Sequence, residues 1–344
     1  MVGWLIYSER DVEKNKRYIE FYIEEGKLQG IQIKLILVEK LEFGVRNNTW
    51  YFTYENNEIN RPDFAICRTI YPLLNKQLEY MGIKVFNNSK VAEICNDKAR
   101  TYQYVAQLGI DMVDSAFVKN DMVEEAMNHV HKPMVIKAVA GHGGSQVFLL
   151  EPSLGKTIEE DYSNENYSNE NYSKEDNSNK DYSKEDYSKE DYLKEDYLKE
   201  GSSNEEIRNT TSVESDKCKI LNGLYQSNVV LQPLTGSRHQ DLRVYVIGEK
   251  IIAAILRTAK EGFKSNFSLG GEVREYQLSK KETTIVEKII SLFHFGLVGI
   301  DFIIGDNGEL IFNEIEDVVG ARMLYQCTDI NLVGLYLEFI KMNL

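Results

Sequence analysis

Acidic side chains that interrupt apolar stretches are the first feature of this sequence that points to chemistry. The stretch LIFNEIED (310–317) carries Glu314 and Glu316 at alternate positions, and VGIDFII carries Asp301. Side chains alternate between the faces of a strand, so the two glutamates are expected on one face. Burying two like charges is costly unless cations neutralise them. The pattern therefore predicts either a solvent-exposed face or a bound cation, with Asp301 close to opposite Glu314 on a neighbouring strand.

A cationic set lies earlier in the chain, also inside apolar strands: Lys137 in PMVIKAV, Arg243 in DLRVYVIG and Arg257 in AAILRTA. The glycine-rich loop AGHGGS (140–145) directly follows the strand that bears Lys137. Glycines let backbone N–H groups approach an anion closely, although they also make ordinary turns. Mg²⁺ takes oxygen ligands and bridges carboxylates to nucleotide phosphates. A single such residue is more often a solvated side chain or part of a structural ion pair, but the whole set favours a phosphate and metal site.

Strands and helices alternate along the first part of the chain, which predicts an α/β fold with a mainly parallel sheet over residues 1–88. Its first two strands are predicted as VGWLIYS and IQIKLILVEKL. Residues 89–157 and 201–231 are predicted to form a central lobe. Its first element is predicted to be one continuous helical stretch, SKVAEICNDKARTYQYVAQLG. Residues 232–344 form a C-terminal lobe with hairpins at Gly248-Glu249 and Asp306-Asn307-Gly308.

Residues 158–200 form an acidic tract with a five-residue repeat, typified by YSKED. Between Glu159 and Glu200 fifteen acids and six lysines leave −9 of the chain's net charge of −14. The tract has too little apolar surface to offset the entropy of ordering, so it is predicted to be disordered. An expanded surface repeat is favoured over a ligand for a partner. The acidic balance argues against a nucleic-acid partner.

The four cysteines are scattered without a CxxC pair, which is typical of a reducing compartment. The N-terminus reaches charged residues too early for a signal peptide, and no apolar run is long enough for a membrane span. The sequence therefore predicts a cytoplasmic protein with no membrane partner.

The order, spacing and residue types of these motifs resemble the ATP-grasp superfamily, specifically the RimK-type ligases that attach glutamate to a ribosomal protein. The resemblance runs from about Arg61 to the C-terminus, apart from the acidic tract. It implies an ATP-grasp fold, with an N-terminal parallel-sheet pre-ATP-grasp domain and two lobes that hold ATP between them. It also implies a reaction in which ATP converts a carboxylate to an acyl phosphate and an amine captures it as an amide.

The resemblance assigns roles to three groups of residues. Those implied to bind the nucleotide are Lys98, Lys137, Gly141, Gly143, Gly144, Ser145, Gln232, Leu234, Asp241, Lys264, Ser265 and Asn266. Asp301, Glu314 and Glu316 are implied to hold Mg²⁺ or Mn²⁺, with two ions expected. Arg257 and Arg243 are implied to be catalytic, close to the acyl phosphate. For His142 in the glycine loop, a loop-filling role is favoured over contact with a phosphate or a leaving group.

Three departures from the family pattern limit what can be carried over. Glu316 stands where the family usually has Asn, Pro233 stands where an acidic residue is common, and DVVGARML replaces a turn near the acceptor substrate. The predicted substrates are therefore a small-molecule carboxylate, such as an amino acid or peptide, and an amine acceptor that could be a peptide or protein. A ligase that modifies ribosomally made peptides and a non-catalytic ATP-binding module are the alternatives. A homo-oligomer is left open.

Overall fold

The computed structural model describes residues 1–144, 146–152, 216–259 and 271–344. Its N-terminal unit contains the parallel strands β1 (Val2–Tyr7), β2 (Gln32–Leu37), β6 (Phe64–Cys67) and β7 (Lys84–Phe86), and the helices α1 (Glu9–Leu28) and α2 (Pro72–Tyr80). The strand order is β2-β1-β6-β7, so the predicted parallel sheet is confirmed. A small antiparallel sheet is inserted, formed by β3 (Leu41–Arg46), β4 (Thr49–Tyr54) and β5 (Asn57–Glu58).

The second predicted strand ends earlier than expected. After Leu37 the chain makes a 3₁₀ turn, and β3 is a strand that the sequence analysis did not predict. The turn places the Glu39 carboxylate at the start of α1, where it accepts hydrogen bonds from Ser8 Oγ at 2.5 Å and Glu9 N at 2.9 Å. A carboxylate at a helix N-terminus satisfies backbone donors and interacts favourably with the helix dipole.

The central unit is an antiparallel sheet with the order β10-β9-β11-β8. Its strands are β8 (Ala116–Val118), β9 (Met134–Ala138), β10 (Val147–Leu150) and β11 (Val229–Pro233), and its helices are α3 (Ser89–Cys95), α4 (Lys98–Ala106), α5 (Val123–Asn128) and α6 (helical residues 216–223). The helical stretch predicted from residue 89 is two helices, because Asp97 caps the second by accepting from Arg100 N at 3.0 Å.

The C-terminal unit is an antiparallel sheet with the order β14-β13-β12-β15-β16. Its strands are β12 (Gln240–Ile247), β13 (Lys250–Thr258), β14 (Glu272–Glu275), β15 (Leu297–Ile304) and β16 (Leu310–Glu316), and its helices are α7 (Lys280–Ile290), α8 (Arg322–Cys327) and α9 (Leu332–Met342). The predicted hairpins β12–β13 and β15–β16 are confirmed.

The core gives the two faces of this sheet different partners. Leu242 and Phe302 on one face pack with α7 residues such as Val286. On the other face, Tyr245 and Ile255 share a cluster with the N-terminal sheet and α9. The N-terminal and C-terminal units are thus held together by apolar packing.

The predicted domain boundaries stay a prediction. The acidic tract of residues 158–200, which was predicted to be disordered, lies outside the described residues.

Within the described ranges, no helix has both the length and the apolar character that a membrane crossing would require. The predicted cytoplasmic location stays a prediction.

Candidate functional site

A β-bulge in β16 explains how an apolar strand presents two carboxylates on one face. Phe302 pairs with Phe312, and Asp301 pairs with Glu314, so Asn313 is the extra residue of the bulge. The bulge shifts the alternation of the faces by one residue. Leu310 and Phe312 are therefore buried in the apolar core, while Glu314 and Glu316 face the opposite side. The predicted pairing of Asp301 with Glu314 is confirmed.

The C-terminal wall, meaning the charged side chains of β12, β13, β15 and β16 on this face, is a network of paired ions. Asp301, only 1% exposed, accepts from Arg243 Nε at 2.8 Å, Arg243 Nη2 at 2.7 Å and Arg257 Nη2 at 2.8 Å. Arg257 also donates two hydrogen bonds to Asp241, from Nε to Oδ1 and from Nη2 to Oδ2, the latter at 2.7 Å. Burial alone would raise the pKa of Asp301, but the two guanidinium groups outweigh it and hold that pKa well below its usual range.

Glu316 extends this network toward solvent. Its Oε2 atom forms an ion pair with Arg243 Nη1, yet it has no partner in hydrogen-bond geometry. Burial raises the pKa of Glu316, and the Arg243 guanidinium only partly offsets that effect. An oxygen that lacks a well-oriented donor retains lone pairs for a further ligand.

The central wall, meaning Lys98, Lys137 and the glycine loop, contacts the C-terminal wall through its two lysines. Lys98 Nζ lies 3.2 Å from Glu314 Oε2, and it donates to Gly141 O at 2.5 Å. Lys137 Nζ donates to Asn313 Oδ1 at 2.9 Å. Burial, with a smaller effect of Lys98, lowers the pKa of Lys137 to about 8 although Glu314 opposes the shift. Burial would raise the pKa of Glu314, but the nearby cations, Lys98 first, lower it overall.

The glycine loop connects β9 to β10 at the edge of the cleft. Gly143 and Gly144 have φ angles of 63° and 75°, a left-handed conformation that favours glycine. His142 also lines the cleft, where burial and the Lys98 ammonium lower its pKa to about 4. The imidazole is therefore neutral near pH 7. His142 thus lies on the cleft wall, and the preference for a loop-filling role over contact with a phosphate stays a prediction.

Part of the cleft lining is apolar, as an adenine ring would require. Val113, Val135 and Val147 line it together with Gln232 and Leu234. Gln232 is buried and donates from Nε2 to Ser115 Oγ at 2.8 Å. The backbone N–H of Leu234 donates to Pro133 O at 3.2 Å, so this donor is already used in the described residues.

The two walls enclose one cleft of about 1160 Å³, counted out to its open mouth. The predicted residues that line it are Lys98, Lys137, Gly141, Gly143, Gly144, Gln232, Leu234, Asp241, Glu314 and Glu316. Asp301, Arg243 and Arg257 do not line the cleft; they are the buried part of the C-terminal wall, where they are paired with each other and with Asp241. Ser145, Lys264, Ser265 and Asn266 lie outside the described residues. Their roles, like those of the others, stay predictions.

Asn313 is the site residue that the sequence analysis missed. In a regular strand it would point away from Glu314, and only the bulge turns its amide toward Lys137. No signal in the spacing of β16 identifies the bulge, because LIFNEIE is compatible with unbroken alternation.

The donor set fits a divalent cation in part. Glu314 and Glu316 present carboxylates to the same cleft, and hard cations prefer such oxygen ligands. Over the ranges that the structure describes, however, no group of three or more His, Cys, Asp or Glu side chains is preassembled for a metal ion. Both oxygens of Asp301 accept from arginines, so its predicted role as a metal ligand would require one of those bonds to be released.

Comparison with known proteins agrees with this geometry. A family model described as the RimK-like ATP-grasp domain matches residues 201–340. A relative from Vibrio vulnificus, named a probable alpha-L-glutamate ligase, is 23% identical over 329 residues, which cover 93% of this chain and 90% of the relative.

Two solved structures show the same fold over the whole chain. A RimK domain ATP-grasp protein from Sphaerobacter thermophilus superposes with a TM-score of 0.61 at 14% identity, covering 98% of this chain and 99% of that one. The ATP-grasp ligase PsnB in complex with a minimal precursor gives a TM-score of 0.59 at 14% identity, with 98% of each chain covered. The expected ATP-grasp fold is confirmed, and residues 201–340 match the RimK-like ATP-grasp domain that the sequence resembles.

Proposed function

We propose that this protein joins a carboxylate to an amine at the expense of ATP, and that the cleft between its central and C-terminal walls is the active site. The observation that carries the proposal is the convergence of Lys98 and Lys137 with Glu314 and Glu316 on one cleft beside a glycine loop. Cations, metal-binding carboxylates and closely approaching backbone donors are the groups that phosphoryl transfer requires.

The two lysines are assigned to the phosphates of ATP. Among the described residues Lys137 makes one hydrogen bond, to a neutral amide, so its ammonium can exchange that contact for a phosphate oxygen. Charge-assisted bonds of this kind are about twice as strong as neutral ones. Lys98 would approach the phosphates from the start of α4, where it is already anchored by Gly141 O.

Glu314 and Glu316 are assigned to Mg²⁺, which would bring ATP to the cleft and neutralise charge on its phosphates. Both carboxylates line the cleft, and hard cations prefer such oxygen ligands. The two glutamates also form ion pairs with Lys98 and Arg243. We assign Arg243 and Arg257 to the support of this wall, since both are buried and paired with carboxylates.

The reaction assigned to the cleft has two steps. A substrate carboxylate oxygen attacks the γ-phosphorus of ATP and ADP leaves, and the amine nitrogen then attacks the acyl carbon and displaces phosphate. The protein positions the reactants and excludes water from the acyl phosphate. The left-handed glycines 143 and 144 support a loop that can lie close to the phosphates.

The relative's name makes glutamate the first amino acid to test, and PsnB makes peptides the second class. The test measures ADP release from MgATP across amino acids, short peptides and pairs of the two. A ligase releases ADP only when a suitable carboxylate and amine are present, and the product gains an amide bond that mass spectrometry detects. Glu314→Gln should abolish this release.

Tight ATP binding without turnover on any pair of substrates would instead identify a nucleotide-binding module. A matched control for Glu314→Gln is Glu309→Gln, which changes a carboxylate on the same hairpin that does not line the cleft.

A further inference from the structure

The N-terminal sheet has a second candidate binding region at the point where its strand order reverses. In the order β2-β1-β6-β7, β2 lies on one side of β1 and β6 lies on the other. Ligands of open α/β sheets bind outside the carboxyl ends of the strands at such a switch point. Tyr7 is the last residue of β1 and Arg68 directly follows β6, so both stand at this crevice.

Arg68 is a buried cation without an anionic partner in the part of the chain that the structure describes. It is 8% exposed, its Nη2 donates to Val319 O at 2.8 Å, and its Nε has no partner. Asp317 is within electrostatic reach, but its two oxygens accept from the amides of Asn87 at 2.5 Å and Asn96 at 2.9 Å. A buried guanidinium is costly unless it is paired and hydrogen-bonded.

Three buried tyrosine hydroxyl groups lie near this cation. None of the hydroxyls of Tyr7, Tyr18 and Tyr22 has a partner in full hydrogen-bond geometry, although Tyr7 lies close to Arg68 and Tyr18 close to Tyr22. All three phenols interact electrostatically with Arg68, and its guanidinium carbon lies 5.3 Å from the centroid of the Tyr18 ring. Burial raises the pKa of Tyr18 and of Tyr22, so both are protonated and able to donate. One cation and several O–H donors without acceptors form a set suited to an anion.

The crevice adjoins the proposed active site through the backbone. Val319, which accepts from Arg68, follows Glu316 by three residues. The next residues, Gly320 and Ala321, are irregular, and Gly320 is exposed with open space around it. A group held by Arg68 would therefore be next to the turn that leaves the C-terminal wall. Gly320 is the exposed residue of this turn, between the buried Val319 and Ala321, and the turn must move to admit the group.

We propose that Arg68 and the hydroxyls of Tyr7, Tyr18 and Tyr22 bind the α-carboxylate of an amino-acid substrate, or the terminal carboxylate of a peptide. The bound carboxylate is not the one that is phosphorylated, and it orients the reacting end of the molecule toward the cleft. This inference rests on the proposed ligase function. It names the feature by which the substrate is selected: a free carboxylate, as distinct from a neutral amide.

The test compares L-glutamate with L-isoglutamine, its α-carboxamide, as substrates for ADP release in the presence of a short peptide. The two differ only in the group assigned to Arg68. The acid should be preferred at least tenfold in kcat/KM, as expected for charge-assisted hydrogen bonds. The comparison is repeated for every amino acid that supports turnover. Equal use of acid and amide would overturn the inference.

Variants separate binding from a structural role. Arg68→Lys keeps the charge but loses the planar fork, so KM for the acid should rise about tenfold while KM for ATP stays the same. Tyr18→Phe removes a hydroxyl that has no partner in the free protein, so Tm should be unchanged or higher while KM for the acid rises several-fold. The matched control is Tyr80→Phe, an exposed phenol stacked on Trp50, which should change neither KM.

If Arg68 only holds Val319, Tyr18→Phe leaves KM for the acid unchanged, and Arg68→Lys lowers kcat equally for acid and amide. Either result rejects the inference even where Arg68→Lys folds poorly, because Tyr18→Phe is expected to fold. Calorimetry with Mg²⁺ and a non-hydrolysable ATP analogue keeps the two proposals apart. Wild-type protein that fails to bind the analogue rejects the ligase and this inference together, whereas binding and turnover without a preference for the acid reject this inference alone.

Discussion

The two walls of the cleft hold their charges in different ways. On the C-terminal wall, Arg243 and Arg257 are buried and engage Asp301 and Asp241 through several bonds each. On the central wall, Lys137 makes one hydrogen bond to a neutral amide, and burial has lowered its pKa to about 8. The planar arginine fork suits fixed pairing, whereas the lysine ammonium is a mobile point charge.

This difference indicates that the arginines of the C-terminal wall support the site, whereas Lys137 of the central wall is available to bind a ligand. The arginines of the C-terminal wall are costly to leave without a partner, so they hold the carboxylates in place before any ligand arrives. Lys137 gains more from an incoming phosphate because it has few protein partners to give up. The predicted catalytic role of Arg243 and Arg257 therefore has less support in the geometry than the predicted phosphate role of Lys137.

The strongest test of the comparison removes the shared anion of the C-terminal wall. Asp301→Ala leaves two buried guanidinium groups without their common partner, so the free energy of unfolding should fall by about 3–5 kcal/mol. Chemical denaturation measures this loss. Glu314→Ala removes a carboxylate that is 32% exposed in the cleft and should cost about 1 kcal/mol or less. Similar losses in both variants would show that the carboxylate buried between the two arginines contributes no more to stability than the partly exposed carboxylate of the same wall.

The second test removes the lysine charge of the central wall. Lys137→Met should weaken binding of a Mg²⁺–ATP analogue by about 10- to 150-fold, the range for hydrogen bonds to charged groups, without loss of stability. Calorimetry and thermal unfolding measure the two effects. The control is Lys132→Met, an exposed lysine just before the same strand. An equal loss of affinity in the control would argue that only the overall charge of the lobe matters.

The third test uses pH to change the same charge. The pKa of Lys137 in the free protein is about 8, below its ordinary value, so the ammonium is present below pH 8 and is lost as the pH rises through that value. Nucleotide affinity should fall by up to about tenfold per pH unit above 8. The unfolded chain keeps the proton to higher pH, so this group makes the free protein more stable as the pH rises above 8. Calorimetry at pH 7, 8 and 9 measures the trend in affinity, which Lys137→Arg should flatten.

The smallest expected effect concerns the contact between the walls. Asn313→Ala removes the acceptor 2.9 Å from Lys137 Nζ, a bond that Lys137 gives up when it binds phosphate. Nucleotide affinity should therefore rise by up to roughly fivefold, which corresponds to about 1 kcal/mol. Titration of the nucleotide analogue detects this change. Asn307→Ala, in the turn of the same hairpin, should have no effect on affinity, and a fivefold change there would show that the hairpin responds to any substitution.

Much of the fold was predictable because it follows from local sequence patterns, such as the alternation of strands with helices and the positions of turn residues. The alternation of strand and helix predicted the parallel sheet of β1, β2, β6 and β7, and turn residues predicted the hairpins β12–β13 and β15–β16. The break between α3 and α4 was missed because Asp97 is compatible with a continuous helix until its side chain is seen to cap the second one. The strand β3 was missed because the preceding turn depends on Glu39 reaching a helix 30 residues away.

The candidate site was predicted to the extent that its residues carry unusual charges. Lys137, Glu314 and Glu316 were identifiable because each interrupts an apolar strand, and the structure brings all three to one cleft. Arg68 was not identifiable, because DFAICR resembles any buried strand that ends at a charged residue. That Arg68 has no anionic partner among the described residues depends on everything that packs around it.

The sequence by itself determined which residue types are available for phosphate and metal chemistry, because charge and strand propensity belong to each residue and its near neighbours. Only the tertiary structure decided which charges are already paired and which remain available to a ligand. The bulge at Asn313, the arginines around Asp301 and the isolation of Arg68 all depend on strands and helices far apart in the chain. The reason is that the cost of a buried charge depends on its distance to every other charge, and folding sets those distances.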